Sequence, residues 1–424
     1  MASHFPLKRR YFTLPASLHP LAEKQFGIFW SGAFLSSIGF WIQTVGQGWQ
    51  VLQLTNSALL LGFVTFAATL PNIVLSLLGG AIADRFNRRW LLLGTQTAYM
   101  CTAALLGILT TLHIVTVWQI IVLALVNGTF SSVGFPTWQA FIGDLVPADE
   151  LKQGIALNSM QFNLSRVVGP AIGGLSIGVF GIAGSYYLNA FSYVAVIVPL
   201  LFIHPALKER KNAPRNMWRG LADGIRYVNR RPLLQIILLL QFTIAFLVAP
   251  YTTLLPIFAR DIFHIGATGL GIMNALSGIG AMIGTLLFVL VSARLQRGGR
   301  LLLILCVVGG LSSLLFAFAR DVRVALLLLA FMGACSVVSM TVTNTTLQAM
   351  APQEIRGRVI SIYVMVTFGL APLGNLVAGW IAQAIGAPAT LAIGGTLCAC
   401  IALAVVCSRF ESRSYQRSLV KNYR

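Results

Sequence analysis

Apolar residues fall along this chain in twelve runs of about twenty. They start near Phe26, Ser57, Trp90, Val117, Leu151, Gly181, Leu233, Ala267, Leu301, Val324, Arg358 and Pro388. As a helix, each run is long enough to cross roughly 30 Å of hydrocarbon. The connectors between them alternate in charge. The amino-terminal segment, every second connector and the carboxyl-terminal segment hold 26 of the 30 lysines and arginines. Of the other four, Arg260, Arg320 and Arg323 lie in the remaining connectors and Arg166 lies inside a run. Loops rich in Lys and Arg stay cytoplasmic. The pattern therefore predicts an all-α integral membrane protein of twelve transmembrane helices with both termini inside.

The longest polar stretch, 204–232, divides the runs into two sets of six. The expected organisation is a cytoplasmic amino-terminal segment (1–25), a six-helix bundle (26–203), a linker (204–232), a second bundle (233–408) and a tail (409–424). In the linker, Trp218, Leu221, Ile225 and Val228 recur at helical spacing, with Arg219, Asp223, Arg226 and Arg230 between them. Such a helix lies on the inner membrane surface with its basic side among anionic headgroups, or packs only on protein. The halves also echo each other. Gly79 to Gly94 is matched by Leu290 to Leu305, Trp138 to Gly154 by Leu347 to Arg358, and Val167 to Gly174 by Gly369 to Gly379. Three echoes in one order imply a duplicated six-helix unit, and parallel repeats of that kind place a cavity on their common axis at mid-membrane.

Composition narrows the function classes. Hydrophobic residues make up 57% and charged residues 10%, with a mean hydropathy of +0.81, far outside the soluble range. On a soluble protein, a net charge of +19 would suggest nucleic acid. Here the alternation of basic connectors accounts for it, and no nucleic-acid partner is expected. The six cysteines sit in or beside apolar runs, without ligand spacing, as small hydrophobes. Lys8, Arg9 and Arg10 imitate the start of a signal peptide, but the first run is distant and rich in glutamine, so it is expected to be retained. His4, His19, His113, His204 and His264 are scattered, and no GxxxxGK[ST] loop is present. An enzyme, a metal site, a cofactor or direct ATP drive is therefore not expected.

The segment Gly80-Ala-Ile-Ala-Asp84-Arg85-Phe-Asn87-Arg88-Arg89, with the twelve runs and central linker, resembles the Major Facilitator Superfamily over nearly the whole chain. GGAIADRFNRR, DLVPADELKQGIALNS, SRVVGPAIGG, and APQEIRGR followed by LAPLGNLVAGWIA resemble the bacterial branch that contains the enterobactin exporter and macrolide efflux proteins. The resemblance implies that Asp84 meets the amino terminus of helix 11, near Arg356 to Val359. It also implies that an arginine among Arg85, Arg88 and Arg89 pairs with an acid ending helix 4, for which Asp144 is the candidate. Together they would latch the cytoplasmic side shut in the outward-facing state; alternatively, these charges only set topology. Gly79 and Gly80 would let helix 2 approach a neighbour closely. Where the family has glycine, Asn87 is expected to keep a left-handed turn.

Arg166 stands about fifteen residues into the fifth run, where a lone cation costs on the order of 3 kcal/mol. It shares a face with Ser159 and Asn163 and precedes Gly169, Pro170, Gly173 and Gly174, a GP-x-x-GG element resembling the helix 5 motif of antiporters. Two readings remain: Arg166 faces a cavity and attracts an anionic or oxygen-rich substrate, or it bonds carbonyls at a helix bend. Further polar stripes suggest a cavity: Gln43, Gln47 and Gln50; Asn127, Ser131 and Trp138; Gln241 and Thr252; Ser336, Ser339, Thr343 and Thr346. Each residue is equally compatible with an interhelical hydrogen bond. Amides, hydroxyls and tryptophans suit a bulky amphipathic molecule. No acid sits well inside a run, which leaves Asp84 and Asp144 as candidates for the proton antiport that the resemblance implies; otherwise the substrate carries its own proton or transport is uncoupled. The expectation is a monomeric, cofactor-free secondary exporter of the bacterial inner membrane. It would move a siderophore-like small molecule, with macrolide or multidrug efflux and lysophospholipid translocation as alternatives.

Overall fold

A computed structural model describes residues 18–203, 224–292, 298–353 and 355–407. Helix is the regular structure throughout, and no strand occurs among the described residues. Among the described residues, eleven continuous helices are long and apolar enough to cross a membrane. One of them, Leu151–Phe202, has 52 residues and a positive-φ backbone break at Gly181 (φ 67, ψ −178). Unbroken, it would measure about 78 Å, more than twice a bilayer core. It is therefore two crossings, and the total among the described residues is twelve.

In chain order these are α1 (Lys24–Thr55), α2 (Ala58–Arg85), α3 (Arg88–Thr111), α4 (Val117–Leu145), α5 (151–180) and α6 (182–202). The second half holds α7 (Pro232–Ile262), α8 (Gly266–Ser292), α9 (Gly298–Phe318), α10 (Val322–Met350), α11 (Arg356–Ile385) and α12 (Ala387–Cys407). Each begins within three residues of the start expected from hydropathy. Polar side chains fix several starts. Ser57 accepts from the Leu60 amide, Thr116 and Gln119 form a reciprocal capping box, and Asp321 accepts from the Arg323 amide at 2.8 Å. Asn87 does the same for α3, accepting from the Arg89 amide at 3.0 Å with φ −67. It is thus an extended N-cap and not the left-handed residue expected, because the amide side chain satisfies a helix-end donor directly. Helices α7 and α11 are not uniform. Ile244–Val248, Phe258–Ile262 and Met365–Gly369 are π-helical turns, with Pro250, Pro256 and Pro372 close by removing backbone donors.

The described end of the linker, 224–229, is helical. Val228 is buried in the core of the second half, and Gly224 abuts the Arg358 carbonyl. This end packs on protein; Trp218 and Leu221 lie outside the described residues.

The two halves are packed differently inside. The core of the second half is one continuous apolar cluster that includes Leu254, Phe258, Phe316, Met332 and Leu347. The first half has two main clusters. Phe29, Leu92, Phe141, Leu157 and Val196 fill the end near the basic connectors, and Val51, Leu61, Ile120 and Tyr186 fill the opposite end. Between them the first half is polar, and the cavity lies there.

The halves meet along two seams. In one, α5 crosses α8 so closely that a Cβ on Gly271 would lie 2.5 Å from the Pro170 carbonyl oxygen and 2.8 Å from the Gly174 Cα. In the other, α2 crosses α11, with Gly62 against the Asn375 carbonyl and Gly379 against that of Ala58. Small residues permit such contact where lipid supplies no hydrophobic drive. Ser57 donates to Gln383 at 2.8 Å, and Arg260 donates to the Leu52 carbonyl at 3.0 Å and to Asn56 Oδ1 at 2.6 Å. All these contacts lie at or beyond mid-membrane, away from the basic connectors.

Candidate functional site

Beneath that closure lies a cavity of about 640 Å³. Its first-half walls carry Gln43 and Gln47 on α1, Thr65, Thr69 and Asn72 on α2, Tyr99 on α3, Asn127 and Ser131 on α4, Arg166 and Pro170 on α5, and Asn189 and Tyr193 on α6. The second half adds Thr252 and Pro256 on α7, and Asn274 and Ser277 on α8. No residue of α9 to α12 lines it.

Many of these side chains are already paired. Asn189 donates to Gln43 Oε1 at 2.6 Å, Thr102 to Asn127 Oδ1 at 2.7 Å and Asn72 to Ser131 Oγ at 3.1 Å. The Tyr251 and Ser277 hydroxyls are bonded to each other. Each bond ties two helices and leaves amide or hydroxyl capacity over.

Arg166 differs. Its guanidinium carbon lies 5.9 Å from the centre of the Trp41 ring, a cation–π distance. Among the described residues it has neither an ion-pair nor a hydrogen-bond partner. It does not bond carbonyls of its own helix, so the bend reading is not what the structure shows. The indole Nε1 of Trp41, on the same wall, is buried and also lacks an acceptor. A buried donor without a partner costs about 1–3 kcal/mol. Among the described residues, Arg166 is the one formally charged side chain of this lining, and a molecule presenting an anionic oxygen group there would pair with it.

The GP-x-x-GG element holds α5 between two neighbours. Gly169 and Gly173 face Trp41 and Ile42 on α1, and Gly174 faces Gly271 on α8. Arg166 is thereby carried on a helix clamped from both sides.

At the end near the basic connectors, Arg88 donates to both carboxylate oxygens of Asp144 at 2.8 and 2.9 Å. This links the start of α3 to the end of α4. Arg88 also lies 4.0 Å from Asp84, whose side chain is 51% exposed. Arg89 donates to the Leu200 carbonyl at 2.6 Å and to that of Leu201, closing the end of α6. Arg85 ends α2. Among the described residues, no hydrogen bond or ion pair joins Asp84 to the start of α11, where Ile355 is the cap residue. The expected latch to α11 is not seen among the described residues in this conformation, whose close contacts lie on the other side. A Cβ on Gly79 would collide with the Ser132 carbonyl of α4, whereas Gly80 has open space around it. Gly79 alone makes the close approach.

Gln43, Gln47, Asn127, Ser131 and Arg166 thus line one cavity. Four other candidates do not. Trp138 packs on Phe29 and donates to Asn158 at 3.1 Å. Asn163 donates to the Ser159 carbonyl one turn back on α5 at 2.8 Å. Gln241 is fully buried and accepts from Thr343 at 3.2 Å, joining α7 to α10 inside the second half. These side chains found partners within their own half. Sequence reading missed Tyr99, Asn189 and Tyr193, and also the stripe Leu61, Thr65, Ala68 and Asn72 on α2, whose helical spacing is visible in the chain.

Comparison with known proteins agrees with this architecture. The family model described as transmembrane secretion effector matches residues 15–421. The staphyloferrin A transporter of Staphylococcus aureus is 29% identical, over 88% of this chain and 94% of its own. The multidrug efflux pump Tap of Mycolicibacterium fortuitum is 27% identical, over 84% of this chain and 89% of its own. Among solved structures, a bacterial homolog of the human lysosomal transporter Spinster superposes with a TM-score of 0.68 at 12% identity. It covers 97% of this chain and 99% of that one, a likeness of fold alone. A duplicated six-helix architecture, a cavity between the halves and a family match over nearly the full length make this chain a member of the transmembrane secretion effector family of Major Facilitator transporters.

Proposed function

We propose that the protein exports an oxygen-rich, anionic amphipathic molecule, a siderophore before a drug, by rocking its halves about the cavity. The observation that carries this reading is Arg166, a guanidinium over the Trp41 ring with no ion-pair or hydrogen-bond partner among the described residues, on the wall of a chamber of about 640 Å³. A carboxylate or catecholate would pair with that guanidinium. With the basic connectors in the cytosol, the closure across α5–α8 and α2–α11 lies on the outer side, and the conformation described is inward-facing. Rocking would open those seams and form the Asp84 contact to α11. Proton antiport, the coupling that the resemblance implies, would then run through Asp84 or Asp144 at the gate. Similarity to a staphyloferrin A transporter supports the siderophore order. Similarity to Tap, together with the neutral amide and tyrosine walls, supports multidrug efflux as the second reading.

The test is uptake of labelled staphyloferrin A, enterobactin and erythromycin into everted membrane vesicles. Siderophore uptake that falls at least tenfold in Arg166→Ala, at equal membrane abundance, is the expected result. Erythromycin uptake without siderophore uptake would move the reading to drug efflux. Wild-type siderophore export by the Arg166→Ala protein would end the role given to that residue.

A further inference from the structure

We infer, building on the siderophore reading above, that Asn274 is the second-half partner of Arg166, and that together they select the metal-free form of a chelator. The group they recognise is a pair of neighbouring oxygens, one ionised and one still carrying its proton.

Asn274 stands on α8 one turn from each of two glycines that touch α5. A Cβ on Gly271 would lie 2.5 Å from the Pro170 carbonyl oxygen, and one on Gly278 would lie 2.9 Å from that of Arg166. Positions 271, 274 and 278 share one face of the helix by i, i+3 and i, i+4 spacing. Asn274 is therefore held opposite the turn of α5 that runs from Arg166 to Pro170, and both Asn274 and Arg166 line the chamber. One turn further along α8, Ser277 is bonded to the Tyr251 hydroxyl, which feels the Arg166 charge.

The two side chains offer opposite hydrogen-bonding chemistry. A guanidinium only donates. Asn274 donates through Nδ2 to the Leu270 carbonyl one turn back, at 2.9 Å. A carbonyl only accepts, so this bond fixes which end of the amide faces Leu270. Oδ1 has no hydrogen-bond partner among the described residues and remains an acceptor on the wall. An ionised oxygen takes the donor, and a neighbouring hydroxyl gives its proton to the acceptor. A catechol that has lost one proton presents that pair, and so does an α-hydroxycarboxylate. Beside a guanidinium the first proton leaves more readily, but loss of the second would set two negative charges before one cation.

Metal binding erases the pattern. A trivalent ion displaces both protons from each pair of oxygens, so no hydroxyl is left for Asn274. Three catechol pairs around one such ion also gather three net negative charges on a compact core. Among the described residues of the lining, Arg166 is the one formal charge to meet them. The loaded chelator is rejected on both counts. Because the contact spans the α5–α8 seam, it is made while the seam is closed and lost when the seam opens. Selection falls at loading and imposes no hold at release.

The test uses the full-length protein in everted vesicles, with enterobactin supplied metal-free or as its gallium(III) complex, a redox-inert substitute for the ferric form. The parent is expected to take up the metal-free form roughly tenfold faster or more. Two competitors isolate the hydroxyl: 2,3-dihydroxybenzamide and its 3-methyl ether, which lacks the second proton. The catechol should inhibit uptake by the parent at a roughly tenfold lower concentration than the ether. In Asn274→Leu and Asn274→Ala the two should inhibit equally, whereas Asn274→Gln should keep the preference; variants are compared at equal abundance and unfolding temperature.

Equal uptake of the metal-free and gallium forms by the parent would overturn the selection and leave export standing. A catechol preference that survives in Asn274→Leu or Asn274→Ala would remove Asn274 from this role. No uptake of enterobactin in either form would overturn the siderophore reading and this inference with it.

Discussion

Substitution of Gly271 by alanine tests whether the glycine seam between α5 and α8 sets the conformational balance. The added Cβ would lie 2.5 Å from the Pro170 carbonyl oxygen and 2.8 Å from the Gly174 Cα. Both neighbours are backbone atoms of a helix held by α1 on its far side, so neither can swing away. Overpacking of this kind costs about 1–3 kcal/mol. The gain in helix propensity from glycine to alanine, about 1 kcal/mol, is present in every conformation and cancels between them. The steric cost is not. It exists only while the seam is closed and vanishes when the halves separate there. The equilibrium should therefore shift toward the open seam by about 5- to 150-fold.

A single cysteine at Thr252, which lines the cavity, reports the shift in a background where the six native cysteines are serine. An impermeant maleimide applied from the face opposite the basic connectors should label Gly271→Ala faster by that factor, normalised to folded protein. Gly178→Ala, on the same face of α5, is the control. Its Cβ would meet only Thr268 Oγ1 at 3.5 Å, an ordinary contact, and labelling should match that of the parent. Equal labelling of Gly271→Ala and the parent would refute the argument that this crossing controls access.

Three further perturbations follow from the geometry. Asp144→Asn strips Arg88 of its partner at a pair only 14% and 22% exposed. It should cost about 2 kcal/mol, read as a lower unfolding temperature in detergent, and the double variant Arg88→Gln/Asp144→Asn should recover most of it. Gly181→Ala places a side chain at φ 67, ψ −178, a region essentially confined to glycine. Although nothing lies within 4 Å, it should lose about 2–3 kcal/mol and yield less monodisperse protein on size exclusion; unchanged yield would mean the turn relaxes. Arg260→Ala removes the bonds to Leu52 and Asn56 that join α7 to the end of α1. At about 1–2 kcal/mol it should speed Thr252 labelling roughly 5- to 30-fold; no change would show that the closure rests on the glycine seams.

The helices were legible because crossing a bilayer is a demand that each segment meets alone. Twenty apolar residues satisfy it whatever the neighbours do, and the starts at Val117 and Leu151 agree to the residue. Even the break at Gly181 shows in the sequence, since no helix can run from Leu151 to Phe202 within the membrane. Asn87 shows the limit of reading by analogy. A glycine position in a family pattern suggested a left-handed turn, but the amide took the role of an N-cap, a choice settled by the local helix end.

The cavity was legible only in part, because lining it depends on how a helix is rotated and on what faces it from a hundred residues away. Gln241 and Gln43 look alike in sequence, each an amide in an apolar run. Gln241 meets Thr343 and is sealed inside the second half, while Gln43 meets Asn189 and remains on the cavity wall. The difference lies in the packing of the two halves: a continuous apolar core in one, a core divided by a polar layer in the other. Duplication gave the halves similar hydropathy, but the polar side chains of α3 and α6 have no counterpart lining the cavity from α9 or α12. The cavity is therefore built chiefly by one repeat, and the other supplies a wall from α7 and α8. In such an arrangement, opening the α5–α8 seam moves Thr252 and Asn274 away from Arg166 while the Gln43–Asn189 pair stays intact. A substrate held to Arg166 and the amides of the first half would travel with that half, and release would depend on losing the second-half wall rather than on dismantling the site.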